Sequence, residues 1–226
     1  MQMTKIRLYI IRHGKTMFNT IRRAQGWSDS PLTEQGAEGI HQLGKGLKRA
    51  GIEFQCAYSS DSGRAIQTAD ILLRELGLKG HISHEFDERI REWCFGSFDG
   101  AYSGELFYGV IPRVLDIEDY KKITLKELAD GLVTVDTANW AEPWEKLSQR
   151  IWDGFESIAK EVEASGGGNA LVVSHNMTIG TFAGLVDPSI RLNPSVENGS
   201  VTIVEYENGE FTILSLGDVR YLNSGE

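Results

Sequence analysis

The sequence predicts an α/β protein of three layers, with helices on both faces of a mostly parallel central sheet and a helical insertion. Three observations support this. Short β-rich apolar runs alternate with amphipathic helical stretches. That alternation lapses between about residues 101 and 142. The chain has 226 residues, 41% hydrophobic and 24% charged, enough to bury a substantial core. One domain spanning 1–226 is expected, with the insertion at about 101–142 helping to select substrate. In such a sheet a ligand binds beyond the strand ends, where the loops gather.

The elements follow in order. Residues 6–11 read as a buried strand running into Arg12-His13-Gly14. Residues 33–50 carry Ala37, Ile40, Leu43 and Leu47 on one helical face, with Gly51 placed to end the helix. A second strand covers 56–59. A second helix, over 61–76, repeats the period through Ile66, Ala69, Leu72, Leu73 and Leu76 and stops at Gly77.

The insertion holds two helix-like pieces and no clear strand. Tyr102, Phe107, Tyr108 and Trp140 are expected to form its own small core rather than a pocket wall. Arg113, Lys121 and Lys122 read as a solvated face rather than an anion site. A long helix spans 144–162, with Pro143 where a first turn tolerates it. The glycine-rich stretch 165–169 follows a helix and precedes a strand, the reverse of a phosphate-cradling loop, and reads as a connector. Strand 170–174 runs into His175-Asn176 and a short helix over 177–186. Two last strands flank Asn208-Gly209, a hairpin signal.

Composition excludes several classes. A formal net charge of -9 opposes broad binding to nucleic acid or an anionic membrane, so an anionic ligand needs a local nest of cations. Cys56 and Cys94 have neither a disulfide framework nor metal-site spacing and are expected in the core. No stretch has the features of a secretion signal or the length of a membrane span, and a cytoplasmic location is expected. His41, on a predicted helix, and His81 and His84, beside a strand, lack a motif context and read as structural or exposed.

Chemistry-bearing residues cluster at the strand ends. Arg12-His13-Gly14 and Val173-Ser174-His175 each close a predicted strand. Asn19, the run Gln25-Gly26-Trp27-Ser28-Asp29-Ser30-Pro31-Leu32-Thr33, the run Ser59 to Ala69 around Arg64, and Arg91-Glu92-Trp93-Cys94-Phe95-Gly96 lie between them. Taken together, over roughly residues 5–100 and 143–216, these segments resemble the histidine phosphatase superfamily, the phosphoglycerate mutase-like fold.

The resemblance implies roles position by position. His13 would attack phosphorus and form a phosphohistidine. Arg12 and Arg64 would clamp the phosphoryl oxygens, His175 would complete the phosphate pocket, and Glu92 would be general acid and base. Asn19, Gln25, Gly26 and Asn176 would contact substrate. Fixed arginines suit the charge that phosphoryl transfer spreads over three equatorial oxygens, and their planar forks grip two oxygens at once. Asp87, Glu88 and Asp99 compete with Glu92 for the acid role.

No metal or other cofactor is expected. One departure stands out. Asn176 occupies a position where many members have glycine, and a left-handed asparagine would preserve the loop. The glycolytic mutases carry Glu-Arg-His-Tyr-Gly where this chain has Glu92-Trp93-Cys94-Phe95-Gly96, and an adjacent arginine pair in a longer insertion. The resemblance therefore implies a metal-independent phosphatase acting on a small phosphomonoester. A mutase-type phosphotransferase is the alternative, and a regulatory protein that captures phosphate ligands is the non-enzymatic one. A homodimer is compatible with this reading.

Overall fold

Strand β1 (Ile6–Arg12) shows how the layers arise. Its side chains alternate between faces: Leu8 and Ile10 enter one apolar cluster, Tyr9 and Ile11 another. Burial on both sides is the signature of a sheet covered by helices on each face. The structure, a computed structural model, describes residues 5–117, 123–190 and 196–222.

After β1 come a single helical turn, α1 (Met17–Thr20), then α2 (Glu34–Arg49), β2 (Cys56–Ser59), α3 (Gly63–Leu76) and β3 (His84–Phe86). Two 3-10 turns follow, at Glu88–Ile90 and Gly96–Phe98. The expected insertion contains α4 (Ser103–Glu105), a π-helical turn (Leu106–Val110), α5 (Ile111–Leu115) and α6 (Leu125–Val135). The chain continues through α7 (Trp144–Ala164), β4 (Gly168–Ser174), α8 (Asn176–Val186), β5 (Val201–Glu207) and β6 (Glu210–Asp218).

The sheet order is β3-β2-β4-β1-β5-β6. Strands β1 to β4 run parallel, β5 is antiparallel to β1, and β6 is antiparallel to β5. On one face, α2 and α3 pack Ile40, Leu43, Leu47, Leu72 and Leu73 against Leu171 and Val173. On the other, α7 and α8 pack Phe155, Ile158 and Phe182 against Ala170 and Val172. The three-layer α/β/α expectation is met.

Local signals explain most boundaries. Thr33 caps α2 by accepting the Gly36 N–H at 2.9 Å. Gly77, with φ of 72°, ends α3 in the left-handed region. Asn208 and Gly209 both have positive φ, as a two-residue hairpin turn requires. Helix α3 starts two residues later than predicted, after Ser62 in extended geometry, and the Asp61 carboxylate before it pairs with Arg91.

The glycine-rich stretch 166–168 leads into β4 where Gly168 pairs with Ile6, at the opposite end of β1 from His13. It is a connector. Cys94 is buried and Cys56 half-buried.

The aromatics of the insertion depart from expectation. Tyr108 and Trp140 are 73% and 69% exposed, and Tyr102 is also exposed. Leu106, Ile111, Leu128 and Leu132 face the main cluster instead, so the insertion packs against the body of the molecule rather than around a core of its own. Lys121 and Lys122 lie outside the described residues. No helix among the described residues is long and apolar enough to cross a membrane.

Candidate active site

The two central parallel strands bring distant residues together. In the β1–β4 register Arg12 pairs with Ser174, so the next residue on each strand is a histidine. The ring centroids of His13 and His175 lie 5.2 Å apart, although 161 residues separate them in sequence.

His13 is buried, and its Nδ1 lies 2.9 Å from the Gly14 carbonyl oxygen. A carbonyl only accepts, so Nδ1 carries the hydrogen and Nε2 keeps a lone pair. Burial first, then Arg64 and Arg12, hold the imidazole pKa well below its usual value. The ring is therefore neutral at neutral pH, with its nucleophilic nitrogen available. Gly14 N–H donates to Thr68 Oγ1 at 3.0 Å, which ties the turn after the histidine to α3.

Glu92 is fixed from three sides. Its Oε1 accepts the Trp93 and Thr178 N–H groups at 3.0 Å each, and also lies 3.2 Å from the Thr178 hydroxyl. Oε2 accepts one bond, from Met177 N–H at 3.1 Å. The carboxyl thus sits over the first turn of α8. Three backbone N–H groups favour the charged form, but burial outweighs them and pushes the pKa up. Oε1 is crowded with donors, so an added proton belongs on Oε2. Arg150 braces the same segment by donating to the carbonyls of Arg89 and Arg91 at 2.8 and 3.1 Å, while pairing with the buried Glu142 at 2.6 Å. Asp87 instead pairs with Arg89, and Asp99 accepts N–H groups from Gly26, Ser28 and Phe95. Glu88 is exposed. Of the four acidic candidates only Glu92 faces the cavity.

That cavity, of about 420 Å³, is lined by Arg12, His13, Asn19, Gln25, Glu92 and Asn176 among the expected residues. Arg12 donates from Nη1 to the Val196 carbonyl at 2.6 Å, and its buried Nε meets no acceptor among the described residues. Burial lowers its pKa to about 10, which leaves it charged at neutral pH.

Arg64 and His175 form a buried layer next to His13 and are not on the cavity wall. All five N–H groups of Arg64 face protein acceptors: His175 Nδ1 at 3.2 Å, Ser28 O at 3.0 Å, Asp29 Oδ1 at 2.8 Å, and the Gln25 and Gly26 carbonyls at 3.4 and 2.8 Å. Because Arg64 only donates, His175 Nδ1 accepts. The His175 hydrogen is then on Nε2, which lies 2.6 Å from Ser60 Oγ.

Asn19 is both a capping partner and a wall residue: its Oδ1 accepts the Thr16 N–H at 3.1 Å in a capping box, and the residue lines the cavity. Gln25 is held between the Thr16 and Ser30 hydroxyls. Gly26 is not on the wall. Its N–H donates to Asp99 at 2.8 Å and its carbonyl accepts from Arg64, so both backbone groups are committed. A Cβ there would sit 2.3 Å from the Trp93 carbonyl oxygen, hence the glycine.

Asn176 corrects an expectation. It opens α8 with ordinary helical geometry and no positive φ. Its Oδ1 accepts the Val196 N–H at 3.1 Å, so a substrate contact must come from Nδ2.

Sequence reasoning missed Asn198. Its Nδ2 donates to the His13 carbonyl at 2.9 Å and to Asn19 Oδ1 at 3.3 Å, and it lines the cavity. Asn198-Gly199 is a turn signal leading into β5, and a turn forms there, but such a signal says nothing of where the side chain points. Lys15, Arg22 and Arg23 also line the wall.

A neutral buried histidine with a free ring nitrogen, cations around it and a protonatable carboxyl on the same wall are the groups that phosphoryl transfer through a phosphohistidine requires. The chain belongs to the histidine phosphatase superfamily, branch 1, a family of enzymes; the family model matches residues 8–219. Among solved structures it is similar to a phosphoglycerate mutase from Bacillus anthracis, at 39% identity and TM-score 0.90, covering 97% of this chain and 96% of that one. It is also similar to Bacillus stearothermophilus YhfR, at 29% identity and TM-score 0.76, covering 96% and 99%. Among curated proteins it is 28% identical to the probable phosphoglycerate mutase GpmB of Salmonella arizonae over 97% of this chain and 96% of the relative.

Proposed function

We propose that this protein is a metal-independent phosphatase that hydrolyses a small phosphomonoester. The observation that carries the reading is the pairing of His13 Nε2, kept neutral, with Glu92 Oε2 on one cavity wall. Nε2 attacks phosphorus and the ester P–O bond breaks. Glu92 gives its Oε2 proton to the departing alkoxide. Glu92, now a carboxylate, takes a proton from water as the water oxygen attacks the phosphohistidine, the N–P bond breaks and phosphate leaves. Arg12, with a buried Nε still lacking an acceptor among the described residues, binds a phosphoryl oxygen. Arg64 supplies positive charge beside His13 and orients His175; a direct phosphoryl contact requires it to exchange one of its present acceptors.

The names of the relatives favour a second reading, a mutase that returns the phosphoryl group to a phosphoglycerate. Hydrolysis is supported by the insertion, whose described residues bring Ser103 and Phe107 to the cavity and no cation, where the glycolytic mutases carry an adjacent arginine pair. The test is turnover of p-nitrophenyl phosphate with EDTA present, alongside acid-labile phosphate on the protein. Stoichiometric phosphate release and a trapped phosphoenzyme that His13→Ala abolishes would support the proposal. Interconversion of phosphoglycerates with little phosphate release would replace it with the mutase, and ligand binding without either would leave a regulatory protein.

A further inference from the structure

Neighbouring residues in extended chain point to opposite sides, yet Arg22 and Arg23 both line the active-site cavity, with Lys15 on the same wall. A kink accounts for this. Arg22 has φ of 57°, in the left-handed region that side chains other than glycine seldom adopt. The insertion holds the kink in place: Ser103 donates its N–H and its hydroxyl to the Arg22 carbonyl, at 2.9 and 3.0 Å. Arg23 pairs with Tyr102 in an isolated antiparallel bridge, and its N–H donates to the Phe18 carbonyl at 2.9 Å.

The side chains are left to the cavity. Arg23 Nη1 reaches only a carbonyl, that of Gly100 at 3.2 Å. Among the described residues neither Lys15, Arg22 nor Arg23 has a carboxylate partner. Other cations among the described residues, such as Arg89, Arg91 and Arg150, pair with carboxylates; these three do not, and because they share one wall their charge is available to a ligand. The phosphoryl position, beside Arg12 and His13, already has its own arginine.

We infer that Lys15, Arg22 and Arg23 form a subsite for a second anionic group, so that the substrates are small phosphomonoesters that also carry a carboxylate or a further phosphate. This deepens the proposed function and rests on it. The insertion then contributes to selection by setting the backbone of Arg22 through Ser103, and not through Arg113, which is not on the wall.

The test uses substrate pairs that differ only in the second anion: phosphoserine against phosphoethanolamine, and a sugar bisphosphate against its monophosphate, with p-nitrophenyl phosphate as reference. Wild type is compared with an Arg22→Asn/Arg23→Gln double variant, asparagine being chosen because it tolerates the left-handed conformation. Wild type should favour the second anion by about a hundred-fold or more in kcat/KM, about ten-fold for each guanidinium. The variant should lose about ten-fold of that preference per guanidinium, mainly through KM, in keeping with one charged hydrogen bond each. A response by the carboxylate pair alone assigns the subsite to carboxylates, and by the bisphosphate pair alone to phosphates; either supports the inference. Wild type without preference in both pairs, or a folded variant that keeps it, overturns the subsite. If the double variant does not fold, Arg23→Gln is read in the same way. No phosphate release from any substrate, the reference included, would sink the proposed function as well, whereas turnover of the reference without anion preference sinks the subsite alone.

Discussion

Replacing Glu92 with glutamine changes one atom and separates two roles of the same side chain. The amide oxygen must take the place of Oε1, because a nitrogen there would face the N–H groups of Trp93 and Thr178, both at 3.0 Å. The NH₂ group then replaces Oε2 and confronts the Met177 N–H, which loses its acceptor at 3.1 Å. One unmade buried hydrogen bond costs about 1–3 kcal/mol, and each kcal/mol lowers Tm by about 2–4 °C in a chain of this size. Catalytically, the variant has no proton to give. Alkyl phosphates, whose leaving alkoxide needs that proton, should slow by about 10²–10⁴-fold. p-Nitrophenyl phosphate, with a stabilised leaving group, should slow far less. The assay is kcat for both substrates beside a thermal melt. Equal losses for the two substrates would refute the acid role, and an unchanged Tm would refute the geometry assigned to Oε2.

Other predictions concern separate parts of the site. In the proposed mechanism His13 acts when neutral, and its pKa is depressed, so kcat/KM should fall on the acid side only as pH drops below the ordinary histidine value of 6.5; an acid limb at or above that value, after allowance for the substrate's own ionisation, contradicts the burial argument. Glu92 works protonated and its pKa is raised, so activity should decline as pH rises through a value above the ordinary 4.5, and this alkaline limb should vanish in Glu92→Gln. Asn198→Ala removes the donor to the His13 carbonyl and should lower kcat/KM about ten-fold. Asn198→Asp, which sets a carboxylate against two acceptors, should be worse than alanine; kinetics within two-fold of wild type for both would show that Asn198 positions nothing. Gly26→Ala places a Cβ 2.3 Å from a backbone carbonyl and should cost about 1–3 kcal/mol of stability while loosening the loop that grips Arg64, measurable as a joint fall in Tm and activity.

Much of the fold was legible because its strands and helices carry unmixed signals. The apolar run of β1 and the helical period of α2 and α3 predicted the layers, and the histidines closing two strands predicted which ends meet. A strand beside His81 and His84 was read without bounds, because three residues, His84 to Phe86, give too short a run for periodicity to fix them. The aromatics of the insertion were misjudged because residue type alone does not say which helical face is covered; Leu106 and Ile111 took the buried positions and Tyr108 the solvent side. Within the site, motif context marked His13, Arg12 and Glu92, all of which face the cavity. Motif context could not show that Arg64 spends its donors on carbonyls contributed by residues 25, 26 and 28, since those partners are backbone groups without a sequence signature. Asn198 was hidden for a related reason: a turn signal is a statement about backbone, and its catalytic-side contacts depend on where the third dimension brings His13 and Asn19.

The position of β1 between β4 and β5 has a consequence for how the protein comes into being. The strand that leads into His13 is synthesised well before both of its neighbours, residues 168–174 and 201–207. Until those segments are synthesised, neither edge of β1 has its hydrogen-bonding partner and His175 does not exist beside His13. Such long-range pairing makes for slow folding. A fragment ending before β4 would therefore hold His13 with neither flanking strand in place and without the second histidine that β4 delivers.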